Sequence, residues 1–181
     1  MHPYRQLNAL GIIAISAMLT YAFADQFVNH ELPCPLCLLQ RVGFVAVSIG
    51  LLLNVTHGPR PSHYGFAIAA SVAGGAMALR QVSLHVIPGT PGYGSPFLGL
   101  HFYTWAFLLF AFMIAAIAMI SSLPRQYDDL GWLQWRQQPL LCKLAIVVIT
   151  IIISLNALAA FSECCPGKCP DNPEQYWLFQ D

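Results

Sequence analysis

Charged residues are scarce in this chain. Asp, Glu, Lys and Arg make up 9% of its 181 residues, whereas a soluble domain carries about a quarter. So few charges cannot coat a water-exposed surface, and 57% of the residues are hydrophobic. The net charge is zero and no basic cluster is present, which argues against nucleic acid as a partner. The composition therefore indicates an integral membrane protein.

Five apolar stretches are long enough to cross a hydrocarbon layer, which takes about 20 helical residues. They run approximately over Leu7–Val28, Leu38–Val55, Tyr64–Leu84, Leu100–Leu123 and Leu140–Phe161. Pro and Gly clusters separate them and cannot continue a helix. The predicted fold is an all-α integral membrane protein, a four-helix transmembrane bundle plus a fifth transmembrane helix. We expect one domain over 1–181, with the core at 1–123, an interfacial cytoplasmic loop at 124–139, the fifth helix at 140–161 and a Cys-rich tail at 162–181.

The orientation in the membrane follows from the Lys and Arg residues. Most of them belong to the N-terminus and the even-numbered loops, namely Arg5, Arg60, Arg125, Arg136 and Lys143. The positive-inside rule then places the N-terminus in the cytoplasm and the C-terminal tail outside. An alternative for the first span is a cleaved signal peptide, since Ala22-Phe23-Ala24 is similar to a small-residue cleavage site. The outer cysteines stay on the same side in either case.

The motif Cys34-Pro35-Leu36-Cys37 stands where the first outer loop enters the second span. Two cysteines three apart at a helix start face the same way and can form a disulfide. The helix N-terminus stabilises a thiolate at the first cysteine, which makes Cys34 a good leaving group. Such a pair suits catalysis of thiol–disulfide exchange better than a structural role, and an outer-face location favours redox chemistry.

Two other interpretations of the motif stay open at this point. One is an inert pair of thiols. The other is half of a zinc site, which needs two more ligands that Cys164, Cys165 and Cys169 of the tail could supply.

Arg41 lies one helical turn after Cys37. A charge at that depth costs free energy unless it has a partner, so it is a candidate for function. Arg41 is expected either to reach back to lipid headgroups or to stabilise a thiolate and polarise a carbonyl-bearing cofactor. Arg80, near the outer end of the third span, is a weaker candidate. His85 and His101 lie at the same level and are candidates for proton exchange.

Segment 31–41 resembles the signature of the bacterial DsbB family of disulfide bond formation proteins, with the sequence ELPCPLCLLQR. In that family Cys-X-X-Cys begins the second helix and Arg follows one turn later. Segment 80–82, Arg-Gln-Val, resembles the arginine-containing segment that ends the third helix of the family. Short apolar helices match the family pattern over roughly the first 120 residues.

The resemblance implies a thiol:quinone oxidoreductase in the bacterial inner membrane. Cys34 and Cys37 would be its redox-active disulfide, and Arg41, Arg80 and His85 would be candidates for holding ubiquinone or menaquinone. Its partner would be a periplasmic thioredoxin-fold thiol oxidase, DsbA-like, which the protein reoxidises. Because that partner is itself strongly oxidising, the electrons need a quinone acceptor rather than a glutathione buffer.

The chain departs from the family pattern in two places. The loop Leu84–Leu100 contains no cysteine, where the usual member has a second cysteine pair. The chain instead has a fifth span and three cysteines in the tail. We expect Cys169, with Cys164 or Cys165, to replace the missing pair, and a structural disulfide is the alternative.

Cys142, at the opposite end of the fifth span, is predicted to be an inert buried thiol. Two rival functions remain at this level. They are a metal-binding membrane protein that uses the outer cysteines, and a family member with a structural role only.

Overall fold

Five long helices form the structure. The computed structural model describes residues 3–29, 31–128, 131–164, 169, 176 and 178. The helices are α1 (Pro3–Val28), α2 (Pro35–His57), α3 (Pro61–His85), α4 (Phe102–Ser121) and α5 (Leu140–Cys164), with short 3-10 helices at Pro124–Asp128 and Trp135–Gln137. Each long helix is apolar enough to cross a membrane. The predicted all-α membrane fold is confirmed.

Helix boundaries differ from the predicted spans because three of the helices, α1, α2 and α3, begin at a proline. Pro35 and Pro61 occupy the first turns of α2 and α3, where the missing N–H would have no intrahelical partner. The sequence analysis had treated both prolines as breaks. α5 continues to Cys164, three residues beyond the predicted end, because hydropathy locates the apolar part of a helix and not its polar last turn.

The helices pack in a defined order, with α2 between α1 and α3, α4 against α3, and α5 against α1. Glycines allow α2 and α3 to approach closely: a Cβ atom on Gly43 would lie 3.0 Å from the Cα atom of Gly74. The ring of Phe110 fills the space beside them and stacks on Phe44 with a centroid distance of 4.2 Å. Close packing of small residues is the main source of helix association in lipid.

Arg5 caps the end of the bundle that lies opposite Cys34. Its guanidinium is buried and donates to the carbonyl oxygens of Val55 at 3.0 Å, Thr56 at 3.2 Å and Gly131 at 2.8 Å. The last carbonyls of a helix have no intrahelical partner, and Arg5 supplies one to the end of α2. Arg5 therefore has a structural role in addition to its contribution to the distribution of positive charge along the chain.

A buried polar network joins α1, α2 and α3 near the same end. Asn8 donates to the hydroxyl of Tyr64 at 2.8 Å, and that hydroxyl donates to Gln126 Oε1 at 2.7 Å. Asn54 donates to Asn8 Oδ1 at 3.0 Å. The hydroxyl of Tyr64 thus connects the three-helix core to the 3-10 helix at Pro124–Asp128.

Replacing Tyr64 with Phe should destabilise this end of the bundle while keeping the volume of the ring. The change leaves one donor and one acceptor buried without their partner, which costs about 1–3 kcal/mol. Thermal unfolding in detergent would measure the loss. Tyr21→Phe is the control, because Tyr21 is 47% exposed. Equal melting temperatures for the two variants would contradict the role of the network.

Candidate redox site

Cys34 and Cys37 form a disulfide at the start of α2. Cys34 is the N-cap residue, with an extended backbone, and its Sγ accepts a hydrogen bond from the backbone N–H of Cys37 at 3.1 Å. Cys34 is buried, with 6% of its surface exposed, and Cys37 is half-buried. The two sulfurs therefore have different surroundings, since Cys34 is held inside the bundle and Cys37 is the more accessible.

Gln81 contacts both sulfurs from α3. Its Nε2 atom lies 3.2 Å from Sγ of Cys34 and 3.5 Å from Sγ of Cys37. Its Oε1 atom accepts a hydrogen bond from Nε2 of Gln40 at 2.6 Å. Both glutamines are buried. Neither glutamine was predicted as a site residue from the sequence. The available signal was that each is an amide side chain within a mostly apolar helix.

A cavity of about 430 Å³ lies beside Cys37, between α1, α2 and α4. Its walls are mostly apolar, and several aromatic rings contribute to them. These rings belong to Tyr21, Phe44, Tyr93, Phe97, Phe102, Tyr103 and Trp105. Cys37, Gln40 and Arg41 are the lining residues from α2 that carry polar or sulfur atoms. One cysteine of the disulfide, Cys37, thus lines an apolar space of the size that small-molecule sites have.

Arg41 points into the bundle. Its Nη1 donates to Gln26 Oε1 at 2.9 Å and to Asn156 Oδ1 at 3.4 Å, and its Nη2 donates to the carbonyl of Ala22 at 2.9 Å. These acceptors lie on α1 and α5, so Arg41 links α2 to both helices. The guanidinium of Arg41 therefore lies among the helices, in the wall of the cavity.

Glu163 lies in the last turn of α5 and is buried. Its two carboxyl oxygens have no hydrogen-bond partner among the described residues, and the carboxyl interacts electrostatically with Arg41. Because Cys164 follows directly, this interaction places the last turn of α5 beside Arg41. Glu163 was not among the residues predicted from the sequence to form the site.

The loop between α3 and α4 contributes Tyr93, Gly94 and Phe97 to the wall of the cavity. The hydroxyl of Tyr93 donates to the carbonyl of Leu32 at 2.6 Å. Ser95 donates to Glu31 through its backbone N–H at 2.9 Å and its hydroxyl at 2.6 Å. Burial raises the pKa of Tyr93 to about 12, with the charges of Glu163 and Glu31 adding to the effect. Tyr93 therefore remains a protonated donor at neutral pH, and the loop stays bonded to the segment that precedes Cys34.

Arg80 and His85 lie outside the lining of the cavity. Arg80 is exposed, one position before Gln81. Nδ1 of His85 is 2.8 Å from the carbonyl oxygen of Gln81, and its ring stacks on Tyr103 with a centroid distance of 5.1 Å. His101 stacks on the same tyrosine at 5.3 Å. The geometry thus places His85 and His101 behind a cavity wall and does not bring Arg80 to the cavity.

The tail contributes a second disulfide, between Cys164 and Cys169. Cys165, the other candidate, lies outside the described residues. Cys142 is a buried free cysteine, as predicted. Within the part of the chain that the structure describes, no group of three or more His, Cys, Asp or Glu side chains is placed to hold a metal ion.

Five apolar helices with a disulfide at a helix start beside an apolar cavity define a membrane protein with a thiol–disulfide site. Residues 4–95, which include all of α1, α2 and α3 except Pro3, match the model of the family "Disulfide bond formation protein DsbB". The chain belongs to the DsbB family.

Relatives named "Disulfide bond formation protein B" share about a third of the residues over the aligned part. The relative from Chromobacterium violaceum is 33% identical over 112 residues, which are 58% of this chain and 68% of the relative. The one from Xanthomonas axonopodis pv. citri is 34% identical over 90 residues, 47% of this chain and 52% of the relative. The one from Hahella chejuensis is 33% identical over 88 residues, 46% and 53% of the two chains.

The chain spans about half the length of most of the curated relatives it matches. No solved structure is similar to it. α5 and the tail lie beyond the segment that the family model matches.

Proposed function

We propose that this protein is a thiol:quinone oxidoreductase of the bacterial inner membrane. It would reoxidise a periplasmic thioredoxin-fold thiol oxidase, DsbA-like, and pass the electrons to ubiquinone or menaquinone. The single observation that carries the proposal is that Cys37 and Arg41 line the same apolar cavity of about 430 Å³. The charge pattern supports a periplasmic position for Cys34 and Cys37, with the N-terminus in the cytoplasm.

The cavity suits a quinone in shape and chemistry. Aromatic and aliphatic walls accommodate a flat apolar ring, whereas the carbonyl oxygens of the ring need donors. Arg41 has five N–H groups, and three hydrogen bonds to the protein leave capacity for a carbonyl in the cavity. A position between α1 and α4 would allow a lipid-soluble molecule to enter from the bilayer.

A bound quinone accepts two electrons and two protons. When the reduced pair of Cys34 and Cys37 closes its disulfide, it releases two electrons and two protons. Cys37 lines the cavity, whereas Cys34 is not among the lining residues and its Sγ accepts a hydrogen bond from the backbone N–H of Cys37. Closing the disulfide of Cys34 and Cys37 would pass two electrons and two protons to the quinone, and Arg41 would stabilise negative charge on an oxygen of its ring.

The disulfide Cys164–Cys169 is proposed to receive electrons from the partner and to pass them to Cys34–Cys37. In each exchange two thiols become a disulfide while the other disulfide becomes two thiols. The position of the tail supports an exchange between the two pairs, because Gln26 accepts from Arg41 and donates to the hydroxyl of Tyr176 in the tail at 2.8 Å. The alternative is a purely structural tail disulfide.

The direct test mixes the purified protein in lipid nanodiscs with a quinone and a reduced thioredoxin-fold oxidase. Quinone absorbance should fall as the oxidase gains its disulfide, with one quinone consumed per disulfide formed. Stoichiometric zinc without any quinone-dependent oxidation would favour the metal-binding rival instead.

Arg41→Gln should slow the quinone-dependent reoxidation of reduced Cys34–Cys37 by about a hundredfold, as expected for a donor lost at a site of developing charge. Arg41→Lys should retain part of the rate, since it keeps the charge but not the planar array of donors. Single-turnover measurements over a range of quinone concentrations would separate weaker binding from slower chemistry.

Exchange of the oxidised pair with dithiothreitol is the control reaction for Arg41. It needs no quinone and should change much less than the quinone reaction. Equal losses in the two reactions would contradict a role of Arg41 toward the cavity.

A further inference from the structure

We propose that Gln81 is a catalytic hydrogen-bond donor for the outer disulfide, one that stabilises the sulfur anion formed whenever the bond between Cys34 and Cys37 opens. This inference rests on the proposed function only in requiring that the pair is alternately reduced and oxidised. The observation behind it is that one buried amide nitrogen lies within hydrogen-bond distance of both sulfurs, at 3.2 and 3.5 Å.

The orientation of the amide follows from the chemistry of its neighbours. Sulfurs in a disulfide carry no hydrogen and act only as acceptors, so Gln81 must present its N–H to them. Its Oε1 then faces Gln40, whose Nε2 donates to it at 2.6 Å. Gln40 is thus a positioning residue for Gln81. With 1% of its surface exposed, Gln81 has little access to water as a competing acceptor.

The hydrogen bond is weak toward a neutral disulfide and stronger toward a thiolate, because an ionised acceptor strengthens a hydrogen bond. In the exchange step, an attacking thiolate forms a new S–S bond to one cysteine of the pair. The bond between Cys34 and Cys37 breaks, and its electron pair stays on the other sulfur. Gln81 therefore stabilises the state after bond cleavage more than the state before it, which is the requirement for catalysis.

The two sulfurs do not receive equal support. Sγ of Cys34 accepts from the backbone N–H of Cys37 at 3.1 Å and from Gln81 at 3.2 Å, whereas Sγ of Cys37 accepts from Gln81 alone, at 3.5 Å. Negative charge is therefore more stable on Cys34. This asymmetry assigns Cys34 as the leaving sulfur and Cys37, the more accessible one, as the sulfur that forms the transient bond.

Gln81→Leu removes the donor with little change in side-chain volume. The acid dissociation constant of the thiol that Gln81 stabilises should fall about tenfold, the amount that one hydrogen bond to a charged group provides. The rate of iodoacetamide alkylation as a function of pH measures this constant. At a pH where the wild-type thiol is ionised, the equilibrium with dithiothreitol should shift about tenfold toward the disulfide, which is a reduction potential about 30 mV more negative.

Three further variants complete the test. Gln81→Glu has nearly the same shape, lacks the N–H donors and should shift both readouts in the same direction, so it replaces the leucine variant if that one fails to fold. Gln40→Leu should have a smaller effect, because it only releases the amide of Gln81. Ser83→Ala is the matched control, since Ser83 is exposed on the same helix and bonds only to the carbonyl of Leu79.

An alkylation profile and a dithiothreitol equilibrium that match the wild type in folded Gln81→Leu or Gln81→Glu would overturn this inference. Neither readout involves quinone or a protein partner. Failure of quinone-dependent oxidation would therefore count against the proposed function alone, and an unchanged thiolate fraction would count against Gln81 alone.

Discussion

Cys37→Ser should abolish quinone-dependent oxidation of the partner. The serine hydroxyl is not ionised at neutral pH and cannot form a disulfide, so the sulfur of the cysteine that lines the cavity is lost. We expect turnover to fall by several orders of magnitude, as it does when other enzymes lose their nucleophile. Quinone absorbance during turnover in nanodiscs would measure it, and a melting curve in detergent would show that the fold is retained.

Cys34→Ser should be equally inactive but chemically distinct. Cys37 would keep its thiol but would have no neighbouring cysteine to release a second thiol that becomes bound to it. A mixed disulfide between Cys37 and that thiol should therefore accumulate, and mass spectrometry would detect it. In Cys37→Ser, no mixed disulfide can form at position 37. The asymmetry tests the assignment of roles to the two sulfurs as well as the need for both.

Cys142→Ala is the matched control for these variants. Cys142 is a buried free cysteine near the start of α5, and its removal should leave turnover unchanged. Wild-type turnover in the Cys34→Ser, Cys37→Ser double variant would instead favour a family member with a structural role only.

The transmembrane helices and the redox motif could be predicted because each is encoded locally. An apolar run of about 20 residues identifies a span without knowledge of its neighbours. Cys34 and Cys37 are close in sequence, and Pro35 places them at a helix start. The exact ends of the helices were harder to predict from the sequence, because proline occurs both where helices end and where they begin.

The groups around the disulfide could not be predicted because they come from different helices. Arg80 and Gln81 are adjacent in sequence but about 100° apart around a helix, and only the rotation of α3 against α2 decides which one faces the cysteines. Arg80 was predicted as a site residue because it is charged. In the bundle the neutral amide of Gln81 is buried and Arg80 remains exposed. Burying the charge of Arg80 at that position would cost more free energy.

The absence of cysteine from the loop between α3 and α4 was visible in the sequence, but its consequence was not. Tyr93 and Ser95 bond to the segment just before Cys34. A loop held in this way lines the cavity and is poorly suited to carry thiols to an external partner. That observation increases the weight of the tail as the source of a second redox pair.

Cys169→Ser should block electron transfer from the partner while leaving the quinone reaction of Cys34–Cys37 intact. In the relay, Cys164 and Cys169 must both be present to receive two electrons, so oxidation of the reduced partner should fall by several orders of magnitude. Reduced Cys34–Cys37, prepared with dithiothreitol, should still be reoxidised by quinone at the wild-type rate. The two rates measured on one preparation give the result, with Cys142→Ala as the control.

A structural disulfide predicts the opposite pattern. The loop between Cys164 and Cys169 is short, with a sequence separation of 5, so chain entropy gives the bond only about 2 kcal/mol. Its loss would then lower the melting temperature of the protein and leave partner oxidation largely unchanged. Cys164→Ser adds a sharper distinction, because in the relay the remaining thiol at Cys169 should be recovered as a mixed disulfide with the partner. Unchanged partner oxidation in both single variants would exclude the relay, and electrons would then have to reach Cys34–Cys37 directly.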